Sequence, residues 1–410
     1  MVRGSYDAVI VGAGPAGSVA ACALKRQNPR LRVLLTDKAF FPRDKTCGDA
    51  LGAGAVAVLR RLGLLGVVHD AVSPVCVRVT GPDRTEATAT GPTMAGRDLA
   101  GFVLPREKLD ARLVDEARKL GVDVWEGASY QSSKLTGDGR TCFFKEGVRV
   151  SSVETALLVG ADGAYSRVRR DLGVGRQDDR YSSIAMRSYA KFSDPRRTPQ
   201  EILPLRLDFG KRMLPGYGWV FPVSNEVVNL GVGLPVSVLR EKSLNLHVLL
   251  KSYTADLRAR GFSLEDPGGG SAHHLPHAGK IPPMSHPRAV LIGDAAATIN
   301  PLSGEGIAYG MVAAEMLADT LGDWNGIDHA ALRIGLQTFE RRFRRRFRLH
   351  FASCTVANMM MGHEKWAETV IRAAARDRHV MSATTLMLFD ERRMYVSTGL
   401  RILAHAARTR

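Results

Sequence analysis

The segment Tyr6–Val11 (YDAVIV), followed at once by Gly12-Ala13-Gly14-Pro15-Ala16-Gly17, constrains this chain more than any other part of it. A short, apolar, β-branched run reads as a buried parallel strand. The glycine series then opens an Ala-rich helix that runs to about Arg26, and Leu31–Thr36 (LRVLLT) reads as the next strand. This is a βαβ unit of about 30 residues. An acid, Asp37, lies 20 residues past Gly17 at the end of the second strand. That context gives a GxGxxG its meaning. Gly12 permits the tight turn, Gly14 lets the backbone approach a pyrophosphate, and Gly17 lets helix pack on strand. The helix N-terminus, with Pro15 and Ala16 in its first turn, offers free N–H groups and a partial positive charge to the phosphates. Asp37 can accept hydrogen bonds from ribose hydroxyls.

Other elements follow from periodicity. Helices are expected over Ala53–Leu65, from about Glu107 to Leu120, and over Gly304–Leu321. Strands are expected at Val122–Trp125 and Ala289–Ile292, and a β-hairpin over 140–160 ends in the apolar run Ala156–Val159. Tyr181–Leu234 reads as an antiparallel sheet. From Ala331 the pattern is helical almost to the end. The nucleotide-binding elements are therefore discontinuous, at 1–70, 100–175 and 280–325. A β-rich unit from 71–99 and 176–279 lies between them, and 326–410 forms a helical C-terminal region. The fold class is α/β: a Rossmann-type domain with an inserted antiparallel sheet and C-terminal helices.

Five cysteines, with no CxxC pair and no Cys/His ligand spacing, argue against a disulfide framework and against a metal site. The longest stretch free of charge, Ala8–Leu24, is shorter than the ~18 residues a membrane span needs. Asp7 interrupts any secretory pattern. The expectation is a cytoplasmic protein. The net charge is +16, and 331–410 carries sixteen basic and six acidic residues, +10 of that total. No nucleic-acid reading motif accompanies the charge, so nucleic acid is not an expected partner. Phe339, Phe343, Phe347 and Phe351 recur at i+4 with arginines between them. This reads as a helix packed by its Phe stripe with solvated arginines, and docking to an anionic membrane surface is the alternative. Met359, Met360 and Met361 read as core or as the lining of an apolar tunnel. His273, His274 and His277 fall in a Gly/Ser/Pro-rich stretch read as a surface loop.

Two further motifs follow strands: Gly160-Ala161-Asp162-Gly163, and Gly293-Asp294, which leads through Pro301 to Gly304-Glu305-Gly306-Ile307. A carboxylate at a strand end can hold a sugar or ribityl hydroxyl. A glycine-bounded helix N-terminus can face an anionic flavin edge. GxGxxG, then DG, then GD, in this order, resembles the flavoprotein class with the p-hydroxybenzoate hydroxylase fold. Arg106, in LPREKLD, resembles the arginine of that class that lies along FAD. Phe41-Pro42-Arg43-Asp44-Lys45-Thr46-Cys47-Gly48-Asp49 resembles the FPRxKxCGD segment of the geranylgeranyl reductase family, and Tyr217-Gly218-Trp219-Val220-Phe221-Pro222 its YxWxFP motif. The resemblance runs from residue 6 to about 325.

The resemblance implies noncovalent FAD held by these three motifs with Arg43, Cys47, Gly48 and Arg106. It also implies a lipid or other hydrophobic substrate against Tyr217, Trp219 and Phe221. In that family reduced flavin saturates isolated C=C bonds of polyprenyl chains. Cys47 matches the family cysteine near the flavin and is the candidate catalytic residue; its other reading is a small buried filler. Related flavin halogenases show WxWxIP and GES where this chain has Tyr217, Phe221 and Cys47-Gly48-Asp49, which disfavours halogenation. An FAD-dependent monooxygenase of the same fold is the alternative activity, and a membrane-surface electron carrier a third reading. No second GxGxxG is present, so the electron donor is left between NAD(P)H and a separate carrier.

Overall fold

The computed structural model describes residues 2–74, 76–90, 93–94, 97–98, 101–137, 139–192, 205–266, 268–389 and 396–408. The remaining positions, which the sequence reading divides among its three segments, lie outside the described residues.

The strand Val2–Val11 sits inside an eight-stranded sheet. It pairs in parallel with Val33–Thr36 on one side and with Arg149–Gly160 on the other. Asp123–Trp125 and Ala289–Leu291 extend the parallel part. Where they pair at the centre of the sheet, Ala8–Val11, Val33–Thr36, Leu157–Gly160 and Ala289–Leu291 are buried and almost wholly apolar, as a parallel sheet covered on both faces requires. The expected hairpin is present as Gly139–Glu146 against Arg149–Gly160, and Ser129–Thr136, which periodicity did not reveal, adds a third antiparallel strand. The Pro15–Gln27 and Ile307–Leu321 helices cross closely, because a Cβ at Gly310 would meet Ala16 Cβ at 3.1 Å.

Helix ends depart from expectation where glycine intervenes. Ala53–Arg61 stops four residues early, just before Gly63 at φ +59°. The late helix begins at Ile307 rather than Gly304, because Gly304 sits at φ +69°. Left-handed backbone cannot continue a right-handed helix.

The second sheet has seven strands: Ser271–Pro276, Ser182–Lys191, Val227–Pro235, Tyr217–Pro222, Leu205–Asp208, Cys76–Thr80 and Glu86–Thr90 in spatial order. It is antiparallel as expected except where Leu205–Asp208 runs parallel to Cys76–Thr80. Two helices, Val236–Glu241 and Leu246–Ala259, follow the expected run of strands. Ser271–Pro276 corrects the loop reading: His273 and His274 stand on an edge strand, and His277 is buried just beyond it.

His329–Met361 is one 33-residue helix. Its four phenylalanines are all at most 2% exposed, with ring centroids 4.7 Å apart for Phe343 and Phe347. The stripe is core, and Arg344 is held by Glu340 and by the Pro282 carbonyl. Glu364–Arg376, Arg378–Phe389 and Val396–Arg408 complete the C-terminal region and share one core with the face of the second sheet that carries Trp219 and Phe221. No helix among the described residues is long and apolar enough to cross a membrane.

Candidate active site

The turn after Val2–Val11 is closed by sterics. Gly12 has φ +100°, and a Cβ there would lie 2.4 Å from Ala161 O. At Gly17 a Cβ would lie 1.8 Å from Gly12 O. Gly14 differs: its nearest atom would be Arg106 Nη2 at 3.5 Å, so the backbone there is open to an approaching group. The helix starts with Pro15 in its first turn and no side-chain cap, leaving its first N–H groups to a ligand. Asp37 is aimed by two backbone donors, Ala13 N–H to Oδ2 and Ala39 N–H to Oδ1, both at 2.9 Å. Arg43 lies 3.7 Å from Asp37 and 3.1 Å from Asp110. Gly12, Gly14, Asp37, Arg43 and Gly163 line a cleft of ≈ 320 Å³.

Asp162 lines the same cleft, but its carboxylate is engaged. It accepts from Ser166 Oγ at 2.5 Å and from Arg167 N–H at 2.6 Å, fixing the start of the Arg167–Asp171 helix. What Asp162 and Gly163 offer to the cleft is therefore chiefly backbone.

A second cavity of ≈ 170 Å³ adjoins the cleft, and Lys45 and His273 line both. Arg106, Asp294, Pro301, Gly304, Gly306 and Ile307 line it, and so do Tyr217, Trp219 and Phe221. Arg106 is buried and fixed by a bidentate pair with Asp110, at 2.7 and 2.6 Å. Gly293, at φ +60°, turns the chain past Ala16. A Cβ on Gly306 would come within 3.1 Å of Asp294 Oδ1. Glu305 Oε1 accepts from Ala308 N–H at 3.1 Å, and the helix has no other side-chain cap from Gly306.

The Cys47-Gly48-Asp49 segment crosses between the two sheets. Asp49 has φ +64° and accepts from Tyr189 Oη at 2.5 Å and Asn229 Nδ2 at 2.7 Å. Asn229 also donates to Cys47 O at 2.8 Å and accepts from Trp219 Nε1 at 2.9 Å. Arg187 donates to Cys47 O at 3.3 Å and to Asp44 at 2.5 Å. Gly48 must be bare, because a Cβ would sit 3.0 Å from the Phe221 ring. Trp219 lies 6.2 Å from both Tyr217 and Phe221, centroid to centroid, so the three form one wall. Tyr217 Oη donates to the Ser303 carbonyl, tying that wall to the Pro301–Gly304 loop.

Electrostatics here are set by burial. Burial raises the Cys47 thiol, partly opposed by Arg106. Burial raises the Glu305 carboxyl to about 7. Burial, and then the Lys45 charge, lowers His273 to about 4. Lys45 is itself lowered by burial and by Arg106. Near neutral pH His273 is therefore neutral.

Of the sequence-expected residues, Gly12, Gly14, Asp37, Arg43, Asp162 and Gly163 line the cleft; Cys47, Gly48, Arg106, Tyr217, Trp219, Phe221, Asp294, Pro301, Gly304, Gly306 and Ile307 line the cavity beside it; Pro15, Ala16, Gly17 and Gly293 line neither. Sequence reasoning gave no role to Lys45, Glu305, Arg187, Tyr189 or Asn229, and left His273 in a loop. The signals present were a lysine inside the FPRxKxCGD segment and a lone amide, Asn229, in an otherwise apolar strand. The residues present fit a dinucleotide cofactor. Gly14 is an open approach, Asp37 is pre-aimed, a helix N-terminus lacks a cap, and His273 Nε2 is buried without a hydrogen-bond partner.

Residues 5–342 match the family described as FAD binding domain. The chain is 36% identical over 332 residues to the menaquinone reductase of Mycolicibacterium smegmatis, covering 79% of this chain and 78% of that protein. It is 29% identical over 333 residues to the digeranylgeranylglycerophospholipid reductase of Methanocella arvoryzae, covering 78% of this chain and 79% of that one. A solved geranylgeranyl bacteriochlorophyll reductase-like protein from Thermoplasma acidophilum superposes with TM-score 0.79 over 99% of this chain and 100% of that one, at 19% identity. With a dinucleotide cleft opening onto an aromatic-walled cavity, the chain belongs to the geranylgeranyl reductase family of FAD-dependent oxidoreductases, on the p-hydroxybenzoate hydroxylase-type fold.

Proposed function

We propose that the protein reduces C=C bonds in the polyprenyl or similarly long apolar chain of a lipid, a quinone of the menaquinone kind being the first to try. The observation that carries this reading is the wall of Tyr217, Trp219 and Phe221, which lines the cavity together with Cys47 and with Gly48, packed against the Phe221 ring. That wall can hold a flat, uncharged chain and offers it little polarity. The relatives named as menaquinone and digeranylgeranylglycerophospholipid reductases support the substrate class.

In this reading the cofactor is held by Gly12, Gly14, Pro15, Ala16, Gly17 and Asp37, by Arg43, Cys47, Gly48 and Arg106, by Asp162 and Gly163, and by Gly293, Asp294, Pro301, Gly304, Gly306 and Ile307. The segments 1–70, 100–175 and 280–325 act as the cofactor domain, and 71–99 with 176–279 as the substrate domain. Reduced FAD supplies a hydride when bound. The protein's part is to orient the alkene and exclude water, since an unactivated double bond develops little charge for side chains to stabilise. Asn229 and Arg187 fix Cys47 through its carbonyl, and so hold its place in the lining of the cavity.

The test is anaerobic. The purified holoprotein is reduced with dithionite and mixed with a menaquinone or a geranylgeranyl lipid. Flavin reoxidation with a gain of two hydrogens per saturated bond is the expected result. Flavin that stays reduced until oxygen is admitted, with an oxygenated product, replaces this reading with monooxygenation.

A further inference from the structure

The Pro301–Gly304 loop lines the cavity beside Tyr217 and Trp219, yet a residue outside that lining sets the loop's shape. Asn300 is 0% exposed, and both ends of its amide are engaged. Oδ1 accepts from Leu302 N–H at 2.8 Å and from Ser303 N–H at 3.3 Å. The main chain of Asn300 closes the same loop: its N–H donates to Glu305 O at 2.8 Å, and its carbonyl accepts from Gly304 N–H at 3.0 Å. Tyr217 Oη fastens the loop from the cavity side through the Ser303 carbonyl.

Because Oδ1 takes two N–H groups, Nδ2 is the end that meets the helices. It lies 3.1 Å from Tyr309 Oη, 3.3 Å from His350 Nε2 and 3.5 Å from Met387 O. Tyr309 Oη is in turn 2.7 Å from His350 Nε2. The tyrosine oxygen accepts from the amide, so its hydroxyl donates to the imidazole, which makes Nε2 an acceptor and puts the ring proton on Nδ1. Tyr309 belongs to the Ile307–Leu321 helix, His350 to His329–Met361 and Met387 to Arg378–Phe389. Tyr309 and His350 are each 2% exposed. Buried polar groups are costly unless paired, and a position that needed only bulk would be filled by an apolar side chain. One amide thus couples three helices to the loop.

We propose that Asn300 is a positioning residue for the cofactor: Tyr309 and His350 hold its amide, and through it they fix the loop backbone that lines the flavin's cavity. The proposal rests on the reading of that cavity as the flavin site and needs no particular substrate. It gives the C-terminal helices, where the sequence offered no motif, a share in shaping the cofactor's surroundings.

The experiment uses the oxidised holoprotein, without turnover. FAD dissociation constants, visible absorption bands and thermal unfolding are measured side by side. Asn300→Ala, Tyr309→Phe and His350→Leu should each weaken FAD binding by at least about fivefold and shift the flavin bands. His350→Gln, whose Oε1 can stand in for Nε2 as an acceptor, should stay within about twofold of the parent. Phe339→Leu is the control for lost stability. It lies on the same helix as His350, about three turns away, and should lower the unfolding temperature without altering affinity or bands. If Asn300→Ala yields no soluble protein, Tyr309→Phe, which deletes a single oxygen, carries the test. Affinity and bands unchanged in Tyr309→Phe and His350→Leu, or equally impaired in Phe339→Leu, overturn the proposal. The expected shifts in a protein that reduces no alkene would remove only the proposed activity, and alkene reduction with affinity and bands indifferent to the three variants would remove only the role of Asn300.

Discussion

Asn229→Ala tests the central claim about the site, that the second sheet holds the Cys47-Gly48-Asp49 segment in place. Asn229 is fully buried and serves three partners. Without it, Trp219 Nε1–H loses its acceptor, and no other is found for it among the described residues. A buried donor left unmade costs about 1–3 kcal/mol. The Cys47 carbonyl keeps Arg187, and Asp49 keeps Tyr189 and the Arg106 N–H, so those losses are partial, about 1 kcal/mol each. The sum is about 3–5 kcal/mol, less whatever a water entering the vacated space restores. Urea unfolding at one fixed FAD concentration, followed by tryptophan fluorescence and circular dichroism, measures it. Flavin spectra report whether Cys47 has moved. Asn229→Asp keeps an acceptor for Trp219 but sets a second carboxylate beside Asp49, so its defect should ease as the pH falls and the pair takes up a proton. A cost below about 1 kcal/mol for Asn229→Ala, with unaltered FAD affinity, would refute the clamp.

Three other outcomes are expected. Gly17→Ala should purify without bound flavin or fail to fold, since the added Cβ would lie 1.8 Å from Gly12 O; normal yellow protein would contradict the close-packed turn. Arg106→Ala leaves the buried Asp110 with Arg43 as its one ion-pair partner within 4 Å among the described residues and should cost about 3–5 kcal/mol together with FAD affinity, read by denaturation and flavin release. The Glu305 carboxyl is raised from 4.5 to about 7 by burial, so its stabilising contribution is fully present below about 4.5 and is lost as the pH rises through about 7. Glu305→Gln should flatten the stability profile in that window, and an unchanged slope between pH 5 and 8 would count against the burial argument.

The cofactor half was legible because its demands are local. Gly12, Gly14 and Gly17 announce a turn with no room for side chains, and Asp37 follows at the distance one βαβ unit imposes. The Phe339–Phe351 stripe was legible for a similar reason: a four-residue period states its buried face. What the sequence concealed depends on distant partners. Leu205–Asp208 pairs in parallel with Cys76–Thr80 across more than a hundred residues, which no local alternation records. His273 and His274 sit in a Gly/Ser/Pro-rich stretch, yet the neighbouring edge of Ser182–Lys191 recruits it into the sheet. Asp162 looked like a free carboxylate until Ser166 and Arg167 were seen to engage it. Glu305 drew no role at the start of the expected Gly304–Leu321 helix, because its burial comes from a cavity that forms only when both sheets are in place.

The Cys47–Asp49 stretch belongs to the cofactor half by its position in the chain, yet Arg187, Tyr189 and Asn229 of the other half hold it. Recombining this enzyme with a relative at the apparent domain border would therefore part a tenon from its mortise. A chimera that imports a new substrate sheet should carry residues 41–49 from the same donor, and one that leaves them behind would inherit the pocket of one parent and the cysteine placement of neither.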